Sequence, residues 1–395
     1  MTVILLGMTS LFTDIGTEMI FPLLPVFLVE TLGAGPTYLG LVEGAANTVA
    51  SVLKLVSGLL SDLVTRRKPL VLFGYGVASL ARPFIALATR PWHALAVRLV
   101  DRVGKGVRSS PRDALIADVA GDRAGRAFGF HQAMDNVGAV VGPLLATLLI
   151  AAKMSMRQVF WIAIIPGFLA TACVAFVRET PRAQGGTSSS AATAPRANLG
   201  RPLGLYLVIV GLFSLGNSSD AFLLLRARAL GLSAATLPIL WSTLNLSKVV
   251  FAYFGGNLAD VHSRPRLVAS GWLVYAAVYV GLGAASSPWH VWGLFAIYGI
   301  FYGLTEPVEK ALLTDLAPAA ARGRAFGAYN FIVGIASMPA GLITGWLWNR
   351  WGATVALDAA AGFAAVACLF LLAWDAWRAR SARIGANMHT PRKES

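Results

Sequence analysis

The chain has 395 residues, 56% hydrophobic and 13% charged, and 33 Lys and Arg against 19 Asp and Glu give it a net charge of +14. Soluble domains carry about 25% charged residues, so half that share excludes a soluble enzyme, a disordered chain and a disulfide-stapled secreted domain. The basic residues lie between apolar segments rather than on one face or tail, which points to cytoplasmic anchors of a membrane protein and away from nucleic acid.

Apolar windows of about 20 residues, the length that crosses a bilayer, recur twelve times, at 3–30, 37–60, 69–89, 92–117, 126–151, 157–177, 202–228, 234–259, 266–285, 289–314, 325–348 and 353–377. The expectation is an all-α membrane protein with 12 transmembrane helices. The fourth, seventh and tenth windows are weak because they carry charge. The first has no basic leader and is interrupted by Asp14 and Glu18, so it reads as a mature helix and not a signal peptide. Residues 178–201, rich in Gly, Ser, Thr, Ala and Pro, form a polar linker. It separates residues 1–177 from 202–377, six spans on each side, and 378–395 form a tail. Loops on one side hold Arg66, Arg67, Lys68, Arg123, Arg126, Arg178, Arg182, Arg196, Arg201, Arg264, Arg266, Arg322 and Arg324; the other side holds Arg90, Lys153, Arg157 and Arg350. Basic loops face the cytoplasm, which places both termini there and the protein in the inner membrane.

Charges inside spans are functional candidates because each costs at least about 2.5–3.5 kcal/mol near the bilayer centre. Asp14 and Glu18, four residues apart on the first span, share a helix face. The fourth span carries Arg98, Asp101, Arg102 and Lys105, and the fifth His131, Gln132 and Asp135. Asp14, Glu18 and Asp135 could exchange protons with Arg102 as the releasing cation, and His131 could relay them. A static ion-pair network of Asp14 or Glu18 with Arg98 or Arg102 is the competing reading. In the second half Asn217, Asn245, Lys248, Glu306, Tyr329 and Asn330 are candidate cavity groups. Arg108, Arg112, Asp113 and Asp118 lie toward the cytoplasmic end of span four and suit a loop latch instead. The two cysteines, Cys173 and Cys368, occupy separate apolar runs, so no disulfide framework or metal motif is available. With no phosphate-binding loop either, neither a metal nor a cofactor is implied.

The halves repeat at an offset of about 198 residues. GLLSD (58–62) matches GNLAD (256–260), PRDALIAD (111–118) matches VEKALLTD (308–315), GRAFG (125–129) recurs at 323–327, and ATRPWHALAV (88–97) faces ASSPWHVWGL (285–294). Gly58, Asp62, Arg66, Arg67 and Lys68, with a degenerate copy at Gly256, Asp260, Arg264 and Arg266, resemble the signature loop of the major facilitator superfamily over a chain-long match. Gly129, Gly138, Gly142 and Pro143 reproduce the spacing G-x8-G-x3-G-P, similar to a motif of that family's proton-coupled exporters, with ordinary small-residue helix packing as the alternative. Arg102 and Gly106 resemble the family's span-four R-x-x-x-G, linked there to proton transfer. The resemblance implies two six-helix halves rocking about a central site, with Asp62, Arg66, Arg67, Arg112, Asp118, Asp260 and Arg264 latching one conformation. It implies a monomeric, proton-coupled exporter of a small organic molecule, working by antiport in the lipid bilayer and not an enzyme. Transport of an anionic cargo, an organic acid or metal chelate, is the alternative motivated by Arg98, Arg102, Lys105, Arg226, Arg228 and Lys248. A non-transporting membrane sensor or embedded enzyme is a remote one.

Overall fold

The computed structural model describes residues 1–64, 66–120, 124–179, 200–317 and 322–388, and its regular structure within them is helical. Fourteen helices of seven residues or more follow in order. The first seven are α1 (Thr2–Ile20), α2 (Pro36–Leu63), α3 (Lys68–Ala81), α4 (Pro91–Ala120), α5 (Ala124–Ala151), α6 (Met156–Ile162) and α7 (Ile164–Ala175). The second seven are α8 (Arg201–Gly216), α9 (Ala221–Ala229), α10 (Leu237–Val261), α11 (Arg264–Ala284), α12 (Pro288–Leu316), α13 (Arg322–Trp351) and α14 (Ala353–Met388). Short turns prolong two of them, with Phe27–Thr31 extending the α1 arm and Arg82–Leu87 extending α3.

Local sequence sets these boundaries. Proline, whose missing N–H does no harm in a first turn, opens α2, α3, α4, α8, α10, α11 and α12. Ser155 and Gln158 close a reciprocal capping box at the start of α6. Gly352 alone turns the chain from α13 into α14, at φ 90°, a conformation that a side chain disfavours.

Among the described residues, ten helical arms are long and apolar enough to span a membrane. The two others expected from the sequence fall at α4, whose in-span charges dilute it, and at α10, whose apolar run is Leu237–Ala252. The seventh and tenth arms, read as weak from the sequence, meet the criterion. Each has an 18-residue stretch clear of its terminal charges. The helix of the last span continues past 377 to Met388, so the first part of the expected tail is helical.

Helices α1–α7 pack mainly on one another, as do α8 and α10–α14, while α9 packs chiefly across on the Leu24–Val26 segment and α2. One apolar core is built around Met19, Leu23, Phe27 and Phe160 of the first set, the other around Phe213, Trp272, Tyr275 and Phe295 of the second. The two largest seams between the sets are α2 against α13 and α5 against α10. The α2–α13 seam is held by glycine: a Cβ on Gly40 would lie 1.9 Å from the Gly341 carbonyl oxygen, and one on Gly345 2.5 Å from the Pro36 carbonyl oxygen. Backbones approach that closely only where side chains are missing.

Candidate functional site

A cavity of about 1180 Å³ lies between the two sets, in the end of the bundle where α1 and α13 begin and α2 and α4 end. The opposite end is sealed. There Asn349 donates to Thr37 Oγ1 at 2.7 Å, Arg228 makes a two-pronged pair with Glu30 at 2.7 and 3.1 Å, and Thr147 donates to the Ala235 carbonyl.

One wall of the cavity is acidic, carrying Asp14 and Glu18 on α1 and Asp135 on α5. Glycine spacing creates it. A Cβ on Gly138 would stand 2.6 Å from the Leu11 carbonyl oxygen and 2.9 Å from Asp14 Cβ. One on Gly142 would stand 2.7 Å from the Ile15 carbonyl oxygen and 3.0 Å from Glu18 Cβ. The second and third glycines of the G-x8-G-x3-G-P run therefore seat α1 on α5 at the height of the two carboxyls. Pro143 is buried beside them, and the Gly129 side-chain position lies outside the described residues. Ser10 donates a short hydrogen bond to Asp135, Trp241 Nε1 donates to Glu18 at 2.5 Å, and the Phe21 ring lies tilted against Trp241 with centroids 4.8 Å apart.

The facing wall is basic, with Lys54 on α2, Arg82 at the end of α3, and Arg102, Lys105, Arg108 and Arg112 on one stripe of α4. Arg112 pairs with its neighbour Asp113 at 2.8 Å. Behind Arg102 a buried network fixes α4: Arg82 Nε reaches Asp101 at 2.7 Å, Arg98 reaches Glu43 at 2.7 Å and Asp101 at 3.8 Å, and Arg102 Nε stands 3.9 Å from Asp101. Arg82 also donates to the Thr13 carbonyl, tying in α1.

Of the groups expected in the cavity, Asp14, Glu18, Arg102, Lys105, Asp135 and Asn330 line it, and Gly58 and Arg112 of the expected latch do so as well. Arg98 and Asp101 belong to the network behind it. Their partners are Glu43 and Arg82, not Asp14 or Glu18. His131 is buried off the cavity and Gln132 is exposed, donating to Asn136. Asn245 donates to the Ala139 carbonyl in the α5–α10 seam, and Asn217 ends α8. Lys248 stands 3.7 Å from Asp220 and 3.6 Å above the Tyr302 ring, while Asp220 accepts from Tyr298 and Tyr302. Glu306 is exposed and outside the lining. Its neighbour Glu309 is the buried one, accepting from Trp272 and from Tyr329.

In the signature loop Arg66 is exposed, whereas the backbone N–H groups of Arg67 and Lys68 both donate to Glu179, at 2.6 and 2.9 Å. Arg264 pairs with Asp315 at 2.5 Å. Asp62, Asp118 and Asp260 lie outside the described side chains. Sequence reasoning missed Glu43, Lys54, Arg82 and Glu179. The first three are lone charges in the apolar runs of spans two and three, the same signal that singles out Asp14.

A helical bundle in two packed sets, holding a charged cavity between them that is shut at one end, is the architecture of a secondary transporter. The chain belongs to the Major Facilitator Superfamily, whose family model matches residues 6–226 and 205–389. It is 34% identical over 354 residues to an uncharacterized MFS-type transporter of Methanocaldococcus jannaschii, covering 88% of each chain. It is 25% identical over 325 residues, 78% of each, to a multi-drug resistance efflux pump PmrA homolog of Lactococcus lactis. Among solved structures, a mutant of the nucleoside transporter NupG superposes with a TM-score of 0.81 at 12% identity, over 95% of this chain and 100% of that one. The protein is a multi-pass membrane transporter and not an enzyme.

Proposed function

We propose that the protein is a proton-coupled secondary transporter of a small organic molecule, working by alternating access between residues 1–177 and 202–377 across twelve spans, α4 and α10 included. The observation that carries this reading is the three-carboxyl wall of Asp14, Glu18 and Asp135 inside a cavity open at one end. The three carboxyls share one wall, seated by the α1–α5 glycine contact inside the first half. The count of basic loops puts the open end and both termini on the cytoplasmic side of an inner membrane, and the protein acts as a monomer. Asp62, Arg66, Arg67, Arg112 and Asp118, and Asp260 with Arg264, serve as latches between helix ends on that side.

Export by proton exchange is supported by the G-x8-G-x3-G-P run and by the efflux-pump name of the Lactococcus relative. A second form, transport of an anionic cargo, is supported by the basic wall. The two differ in sign. In exchange, proton and cargo exclude each other; an anion on the basic wall and a proton on the acidic wall favour each other, reciprocally. Cargo-driven proton movement across proteoliposomes tests the shared reading. Movement that stops in Asp14→Asn or Glu18→Gln is expected; transport with no pH change, unaltered in both variants, would overturn it.

A further inference from the structure

The basic wall has more charge than the protein neutralises. Arg82 is spent on Asp101 and Arg112 on Asp113. Lys54, Lys105 and Arg108 form no ion pair among the described residues, and Arg102 has only a share of Asp101 at 3.9 Å. Arg108 is 5% exposed, borders the cavity, and packs its guanidinium 4.0 Å from the centre of the Tyr75 ring. Its Nε and Nη1 atoms are covered by protein and have no acceptor within hydrogen-bond distance, so no carboxylate of the fold neutralises this guanidinium. Buried donors are nearly always paired, and an uncompensated buried charge is strongly unfavourable. A cavity face bordered by two ammonium groups and a guanidinium that form no ion pair among the described residues, with Arg102 only partly compensated beside them, is arranged for an acceptor that comes from outside the protein.

We propose that Lys54, Arg102, Lys105 and Arg108 form a subsite for the carboxylate or phosphate of an organic anion, which is the cargo. The anionic group takes the donors of α4. The apolar body lies toward Phe21, Trp241 and Phe331, which border the same cavity, and a cavity of about 1180 Å³ has room for both parts. Four of the six cations that suggested an anion in the sequence do not contribute. Arg98 and Arg228 are paired with carboxylates, Lys248 faces Asp220, and Arg226 donates to the carbonyls of Leu282, Gly283 and Ala285. The subsite rests on the transport reading above, though not on its exchange form.

The test is binding to the purified full chain, at fixed pH and ionic strength, of benzoate and phenyl phosphate against their near-isosteres benzamide and benzylamine, by calorimetry and thermal shift. The anions bind and stabilise; the neutral and cationic compounds do not. Arg108→Gln and Lys105→Met weaken benzoate binding by about 10- to 100-fold, the weight of a charge-assisted contact. Arg108→Lys recovers part of the loss, and Arg90→Gln, an equal charge change outside the cavity, has no effect. Equal binding of all four compounds, or no binding of either anion, overturns the subsite. So does benzoate affinity unchanged in an Arg108→Gln protein that elutes and melts like wild type. None of these results touches the transport reading, which stands or falls on proton movement in liposomes.

Discussion

Asp101 is 1% exposed and is the shared carboxylate of three guanidiniums, Arg82 at 2.7 Å, Arg98 at 3.8 Å and Arg102 at 3.9 Å. Asp101→Asn keeps the shape and removes the charge. At an effective dielectric of about 20, each pair near 4 Å contributes on the order of 4 kcal/mol before desolvation. Removing one partner of a buried pair leaves a net loss of about 3–5 kcal/mol, and Asp101 sits at the upper end because three cations lose their common partner. Glu43→Gln affects one guanidinium, Arg98, which still has Asp101, so its loss is about 1–3 kcal/mol. Adding Arg82→Gln to Asp101→Asn removes the cation most dependent on that carboxylate, so the double variant is more stable than the sum of the singles implies. Thermal unfolding of detergent-solubilised protein, checked for monodispersity, ranks the set. The reasoning fails if Asp101→Asn melts within about 1 °C of wild type, if Glu43→Gln is the more damaging change, or if the double variant is strictly additive.

Other expectations concern the seams. Gly40→Val drives a side chain into the Gly341 carbonyl, 1.9 Å from the position of a Cβ, and so prises α2 from α13; disulfide trapping between cysteines at Thr37 and Asn349, efficient in the parent, is lost. Arg228→Gln removes an ion pair whose members are 33% and 43% exposed, so stability changes by less than about 1 kcal/mol, yet the sealed end opens more often and thiol labelling of Thr147→Cys accelerates. Gly142→Ala places a methyl 2.7 Å from the Ile15 carbonyl oxygen, and overpacking costs about 1–3 kcal/mol, read as a lower melting temperature.

Hydropathy and the internal repeat made the fold legible, because each follows from what the bilayer enforces along the chain. The acidic wall was legible for the same reason. Asp14 and Glu18 are one turn apart, and the glycines that seat them have a countable spacing. What local spacing does not contain is which helix a charge turns toward. Arg98, Asp101, Arg102 and Lys105 belong to one charged stretch of α4. The first two face Glu43 of α2 and Arg82 beyond α3; the last two face the cavity. The α2–α13 seam did leave a trace, since Gly40-x3-Gly44 and Gly341-x3-Gly345 are small-residue pairs of the kind that lets membrane helices meet. In a chain with 40 glycines, spacing alone does not separate those pairs from the rest.

The repeat also explains why the charge lies on one side. Aligning Trp92-His93 with Trp289-His290 places Tyr298, Gly299 and Tyr302 opposite Asp101, Arg102 and Lys105. In α4 these positions hold ion pairs and unpaired cations. In α12 they hold phenols that donate to Asp220 and a glycine against which Ser247 of α10 packs, a Cβ there lying 2.1 Å from Ser247 Oγ. Arg112 and Asp113 likewise face Glu309 and Lys310, an inverted order of charge, and Glu309 is buried away from the cavity under Trp272 and Tyr329. The same backbone thus builds a charged, cavity-lining wall in one half and an aromatic, hydrogen-bonded support in the other. Alternating access needs the two halves to move as rigid bodies, whereas chemistry is needed on one face of the cavity alone. On the function proposed above, placing the ionisable groups on α1, α2, α4 and α5 would keep proton and cargo sites within one half, so that rocking between the halves would not pull them apart.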